Sequence, residues 1–188
     1  MYSALLADAT FHELLLAYDR DLADAAREAG CPCGGVLHSA KYPRKPRPRL
    51  RRLGPEHQMR FSYCCAVDGC RLRATPPSLR FLGRKVYLAV AVVLISLMRH
   101  GTTEGRMRRL TQAIGVDRRT VARWRVWWRD AFTTTPFWQI ARAAFMPPTD
   151  VERLPAAIIE RFIGSAAERM MALLRFLAPI TGGQVQAR

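Results

Sequence analysis

The sequence predicts a mainly α-helical protein with a small cysteine-bearing module of short β-strands inserted in it and a helix-turn-helix further on. Three observations carry that expectation. Five cysteines fall in two knots, CPCGG (31–35) and FSYCCAVDGC (61–70). Apolar residues recur at helical spacing in the first thirty residues and again over 151–179. The run RRLTQAIGVDRRTVARWRVWW (108–128) has the turn, cap and shared apolar positions of two packed helices. The expected organisation is an acidic amphipathic helix over 1–30, a metal-binding module with a basic Arg/Pro loop over 31–80, a helix-turn-helix domain over 84–145, and a helical packing or oligomerisation segment over 146–188.

In the first segment, Thr10 and Glu13 have the spacing of a capping box, and Gly30 is a helix stop. Leu14, Leu15, Tyr18, Leu22 and Ala26 would face a partner element. Asp8, Glu13, Asp19, Asp21, Asp24 and Glu28 against Arg20 and Arg27 give a local net charge of −4. That acidic surface reads as a solvated face; docking of a basic partner, or of the chain's own basic arm, is the alternative.

The cysteine module comes next. The sequence shows no secretory leader, so a reducing, cytoplasmic location is expected, where clustered thiols hold metal more often than they form disulfides. Zinc modules use two ligand pairs, each held by a tight turn. Cys31 and Cys33 form the first pair, followed by Gly34 and Gly35, which supply the turn and leave room near sulfur. The second pair comes from Cys64, Cys65 and Cys70. Cys65-x4-Cys70 has a workable spacing, and side chains alternate along an extended chain, so Cys64 and Cys65 should not both be ligands. The expected set is Cys31, Cys33, Cys65 and Cys70, with Cys64 a buried apolar thiol and His38 or His57 as alternative nitrogen ligands. Four thiolates point to a structural Zn2+, because catalytic zinc keeps an open position.

Between the pairs, KYPRKPRPRLRRLGP (41–55) has prolines at 43, 46 and 48 that favour an extended arm. Arg44, Lys45, Arg47 and Arg49, with Arg51 and Arg52, are candidate phosphate contacts, with one or two arginines suited to a narrow minor groove. A buried helix is expected from about Arg84 to Met98. Its uncharged run, VYLAVAVVLISLM, is thirteen residues long, short of the roughly twenty that span a bilayer, so no membrane partner is expected.

In the helix-turn-helix, Leu110, Ile114, Val116, Val121 and Trp124 occupy the shared core, Gly115 makes the turn, and Asp117 caps the second helix. Arg118, Arg119, Ala122 and Arg123 would point outward, and Thr120 and Arg125 complete the candidate DNA-contacting set. Arginine near the start of such a helix pairs bidentately with guanine. Trp124 and Trp128 read as core, and Trp127 as packing against the C-terminal helix or stacking on bases.

The IGVDRRTVARW pattern (114–124) resembles the helix-turn-helix of bacterial insertion-sequence transposases, in which a G-V-S-x-x-T-V-x-R-W type of run occurs. It departs in having Thr111 where a small alanine is usual and Asp117 rather than serine at the cap. Paired cysteines, an arginine-rich tail and then a helix-turn-helix resemble the zinc-ribbon plus helix-turn-helix region of some transposases and their regulators. The resemblance implies a zinc-ribbon-like module, double-stranded DNA as partner, and a transposase or recombinase, or a second copy in a homodimer, as a protein partner.

The charge distribution agrees. Thirty Lys and Arg against fifteen Asp and Glu give a net +15, and all but Lys41, Lys45 and Lys85 are arginine. Residues 41–85 carry a net +11 and residues 99–129 a net +7. Such a surplus fits a polyanion, which points to the nucleoid. No triad of carboxylates on strands, no paired histidines and no glycine-rich phosphate loop is present, so no enzyme activity is expected. The competing expectation is an adaptor in which the acidic first helix and apolar last helix recruit a partner, or a subunit that binds single-stranded or guide nucleic acid.

Overall fold

Asp8 starts the first long helix. Its carboxylate accepts the Phe11 amide at 3.1 Å, so α1 (Ala9–Glu28) begins two residues earlier than the Thr10/Glu13 box would place it. A short-side-chain carboxylate reaching the free amides of the first turn outcompetes that box. The chain leaves α1 at Ala29 and turns at Gly30, whose φ of +70° suits glycine. The computed structural model describes residues 2–44, 53–82, 105, 108, 112 and 117–186. The expected helix over 84–98, most of the expected first helix and turn of a helix-turn-helix (Leu110, Ile114, Gly115 and Val116 among them), and Lys45, Arg47, Arg49, Arg51 and Arg52 lie outside the described residues.

α1 faces two cores at once. Phe11 and Leu15 join the larger, helical one; Leu16 and Ala23 join a smaller one with Cys31, Leu37, Phe61, Tyr63, Cys65 and Ala74. Tyr18 and Leu22 pack at the edge of the larger core, whereas Leu14 is 47% exposed and does not face a partner element.

The smaller core lies under short strands β1 (Leu37–Ser39), β2 (Tyr42–Pro43), β3 (Met59–Arg60), β4 (Tyr63–Cys65), β5 (Leu72–Thr75) and β6 (Gly183–Gln186). β2 and β3 form a two-stranded ladder, and the other four form an antiparallel sheet in the order β1-β4-β5-β6. β6 corrects the expectation that the 146–188 segment is helical throughout. Pro179 lies at the start of the last helical turn, Ala178–Thr181, and the following Gly183–Gln186 segment finds an open edge on β5, pairing from Leu72↔Gln186 to Thr75↔Gly183.

The larger core gathers α2 (Arg118–Val126), whose helix widens into a single π-type stretch over Trp127–Phe132, α3 (Pro136–Ala141), α4 (Ala156–Ile159) and α5 (Ala166–Leu177). Trp128, Phe132 and Trp138 are its largest fully buried side chains, with Trp128 edge-on to Phe132 at 5.0 Å between ring centroids. The amphipathic run expected over 151–179 is two helices rather than one. Gly164 at φ +113° breaks it, and Ser165 with Glu168 forms a reciprocal capping box that starts α5. The apolar face of α5 (Met170, Met171, Leu173, Leu174, Leu177) is buried in this core.

A polar knot joins the two halves. Asp19, expected on a solvated face, is 1% exposed and accepts Ser78 Oγ, the Leu79 amide at 2.6 Å and Arg80 Nε at 2.8 Å. The Arg80 guanidinium also donates to the carbonyls of His57 and Met59, each at 3.1 Å. Burial lowers the Arg80 pKa, and the Asp19 charge opposes that shift. Arg60, likewise buried, donates to the carbonyls of Pro76 and Thr181, and the Ser78 amide donates to Thr181 Oγ1 at 2.7 Å. Glu13, also on α1, meets His57 Nε2 at 3.0 Å. The acidic helix therefore grips the chain's own basic module.

Candidate metal centre and nucleic-acid interface

Two tight turns bring four thiols together. In the first, the Gly34 amide donates to the Cys31 carbonyl at 2.8 Å, and Gly34 takes φ +81°. In the second, the Cys70 amide donates to the Val67 carbonyl at 3.1 Å after Gly69 at φ +86°. The β1–β4 register, Leu37↔Cys65, sets the two turns side by side.

The sulfurs of Cys31, Cys33, Cys65 and Cys70 all lie within 4.8 Å of one another. Cys31–Cys33, Cys33–Cys65 and Cys31–Cys70 are separated by 3.4, 3.5 and 3.6 Å. A tetrahedral ion with sulfur at about 2.3 Å requires sulfur–sulfur edges of about 3.8 Å. Gly35 completes the fit: a Cβ there would stand 2.7 Å from Cys65 Sγ, 3.3 Å from Cys33 Sγ and 2.5 Å from a Val67 methyl. The thiols occupy the room that any side chain at this position would need.

Backbone amides also point at the sulfurs. The Val67 amide lies 3.4 Å from Cys65 Sγ. The Gly35 amide is the main cause that brings the Cys33 thiol down to about 7, helped by the neighbouring thiols. Cys31 receives the Cys33 amide, which pulls its pKa down, but burial and thiol neighbours raise it to about 12. Cys65 is likewise raised, with burial and Cys33 outweighing the Val67 amide. Crowded thiols cannot all ionise unless a cation joins them, and that is the chemistry of a thiolate metal site.

Cys64 sits on the other side of the sheet. Its register partners are His38 on β1 and Arg73 on β5, and all three are at least partly exposed, while Leu37, Tyr63, Cys65 and Ala74 point into the core. The adjacent cysteines thus divide between two faces, and His38 goes with Cys64, away from the thiol cluster. Cys64 is half-buried rather than a fully buried thiol. The other alternative ligand, His57, is committed to Glu13.

α2, expected as the second helix of a helix-turn-helix, has the expected cap and apolar face. Asp117 accepts the Thr120 amide at 2.7 Å. Val121 and Trp124 point inward, and Arg119, Ala122, Arg123 and Arg125 are exposed. Thr120 departs from the candidate set: it is 5% exposed, and its hydroxyl accepts from Arg123 at 3.0 Å. One turn past the cap, it lies on the same side as Val121 and positions Arg123 rather than facing outward. Only the backbone of Arg118 is described, at the first position of α2. Arg44 lies apart from α2, in the cysteine module, where its guanidinium covers the Tyr42 ring at 4.9 Å. Trp127 packs on the larger core, edge-on to Trp128 at 4.9 Å.

No protein-family model, curated protein or solved structure matches this chain. What it can do must come from these sites. Among the described residues no helix is long and apolar enough to cross a membrane. The contributions of Asp19, Arg60 and Arg80 escaped the sequence reading because a buried ion pair across sixty residues leaves no local pattern. Gly35 did leave one, directly behind the first cysteine pair.

Proposed function

We propose that this chain is a DNA-binding protein whose cysteine module is a zinc-ribbon-like fold held by a structural Zn2+ on Cys31, Cys33, Cys65 and Cys70. The observation that carries the metal half is the four-thiol cluster closed behind Gly35. Four sulfur ligands fill a tetrahedral ion, and the role that fits is structural, without enzyme activity.

The DNA half is supported by the exposed arginines on α2, beyond a capped first turn, in a chain of net charge +15. In this reading Arg119 and Arg123 meet base edges, Arg118 and Arg125 meet flanking phosphates, and the basic arm containing Arg44, Lys45, Arg47 and Arg49 grips backbone nearby. The resemblance of residues 114–124 to insertion-sequence transposases makes an accessory or regulatory role in a mobile element the specific form of the proposal, with a recombinase or a second copy as protein partner. The adaptor reading has less to work with, since the apolar face of α5 is buried and α1 engages Arg80 and His57 internally.

Selection of bound sequences from a random duplex pool tests it. The zinc-loaded chain should enrich one motif, and Arg119→Ala with Arg123→Ala should erase that preference while leaving salt-sensitive binding. Failure of the intact chain to bind duplex at low salt would refute the DNA half.

A further inference from the structure

The thiol cluster leaves one metal-ligating side chain of the cysteine module unused. His57 lies in the short 3-10 turn Pro55–Gln58, its side chain is 7% exposed, and its Nε2 meets α1 rather than the thiols. Nε2 stands 3.0 Å from Glu13 Oε1 and 3.9 Å from Glu56 Oε1. One nitrogen and two carboxylate oxygens thus lie within 4.8 Å of one another. Two carboxylates this close repel unless positive charge joins them, and one imidazole can balance at most one of them. Among the described residues neither meets a lysine or arginine, although residues 41–85 carry a net +11.

The group is fixed from behind. The buried Arg80 guanidinium, anchored on Asp19 of α1, donates to the carbonyls of Glu56 at 3.4 Å and His57 at 3.1 Å. The Glu56 carboxylate folds back over Gly54, where a Cβ would collide with it. α1 therefore brings Glu13, and the turn brings Glu56 and His57, to one spot.

An ion about 2.1 Å from each ligand atom needs those atoms roughly 3.0–3.4 Å apart, in octahedral or tetrahedral geometry. The Glu13–His57 distance of 3.0 Å meets that, and the Glu56 oxygen at 3.9 Å needs only a small rotation of a half-exposed side chain. Four thiolates select zinc, whereas one imidazole with two carboxylates is an oxygen-rich set that suits Mn2+ and its first-row neighbours. We propose that Glu13, Glu56 and His57 form a second metal site, for a divalent first-row cation of the Mn2+ class, which cross-links α1 to the Pro55–Gln58 turn. The ion takes the place of the proton between His57 Nε2 and Glu13, the imidazole keeping a proton on Nδ1. Three protein ligands leave the remaining positions to water. This site is separate from the thiol cluster and rests neither on the zinc reading nor on DNA binding.

The test is Mn2+ titration of the tag-free chain, zinc-loaded so that the thiols are occupied, followed by electron paramagnetic resonance. The signal of free Mn2+ should stay suppressed until one equivalent has been added, and bound Mn2+ should show the nitrogen modulation of a directly ligated imidazole in pulsed spectra. Glu13→Gln with Glu56→Gln should lose that equivalent. Glutamine keeps a hydrogen-bonding oxygen at each position, so an unchanged circular dichroism spectrum verifies the fold. Gly54→Ala should weaken binding, since a methyl group takes the room of the Glu56 carboxylate. Asp21→Asn with Asp24→Asn, two exposed carboxylates of the same helix, should bind as the intact chain does. No bound equivalent in the intact chain, one that survives Glu13→Gln with Glu56→Gln, or one without nitrogen modulation would overturn the site. A chain that takes Mn2+ here but no zinc would leave this site standing and remove the thiolate one.

Discussion

Replacing Asp19 with asparagine removes the negative charge from the knot that ties α1 to the cysteine module. The side chains of Asp19 and Arg80 are 0% and 1% exposed, so the pair has no water to fall back on. Breaking a buried pair from one side costs about 3–5 kcal/mol, because the remaining charge stays desolvated. The cost here belongs at the lower end, about 3 kcal/mol. Asparagine keeps one acceptor oxygen for the Leu79 amide, and the Arg80 guanidinium keeps the carbonyls of His57 and Met59. With a urea m-value of about 2 kcal/mol/M, the unfolding midpoint should drop by about 1.5 M at fixed free zinc. A drop below about 0.5 M, the range of an exposed pair, would refute the account of the knot. The double change Asp19→Leu with Arg80→Met should be less destabilised than Asp19→Asn alone, since it leaves no buried charge.

The metal site makes three further predictions. Cys65→Ser should lower zinc stoichiometry measured with a chromophoric chelator, whereas Cys64→Ser should keep one equivalent; the reverse would mean that the sheet register is wrong. Gly35→Ala should weaken zinc retention against the same chelator, because a methyl group would press on two of the sulfurs; unchanged retention would mean that the first turn is looser than described. Zinc affinity should rise with pH, since binding expels protons from thiols that hold them. Near about pH 8, Cys31, raised to about 12, and Cys65, also raised, both lose protons on binding, a slope of at least about 2 in log affinity per pH unit. Below about 7 Cys33 regains its own proton and the slope steepens; a flat profile in competition titrations would contradict thiolate ligation.

Local chemistry was legible in the sequence. Asp117 caps α2 because its carboxylate sits three residues before the amide it accepts, and Val121 and Trp124 bury because helical spacing puts them together. The division between Cys64 and Cys65 follows from the two-residue alternation of a strand. What could not be read was any relation across long separations. Nothing near Asp19 announces a partner at Arg80, and a run ending in GGQVQ does not announce that β5 has an open edge. Where local signals competed, the nearer geometry prevailed, as Asp8 did over Thr10. The Ser165–Glu168 box was readable, but the strong apolar periodicity on both sides hid the break at Gly164.

These long-range ties decide how the proposed metal site and the helices communicate. α1 supplies Phe11 and Leu15 to one core and Leu16 and Ala23 to the other, so neither core closes without it. β6 carries the chain from the last helical turns to the sheet, and Thr181, just before it, is fastened by Arg60 and Ser78. A module joined at one end could lose its zinc and leave the rest intact. This one is joined through α1, through residues 76–80 and through β6, so disorder in the cysteine turns must loosen the packing around Asp19 and Thr181 as well. On the proposed zinc-bound form, metal loss should therefore act on the stability of the whole described fold, and chelation should reach the fluorescence of the buried Trp128 and Trp138, far in sequence from any thiol.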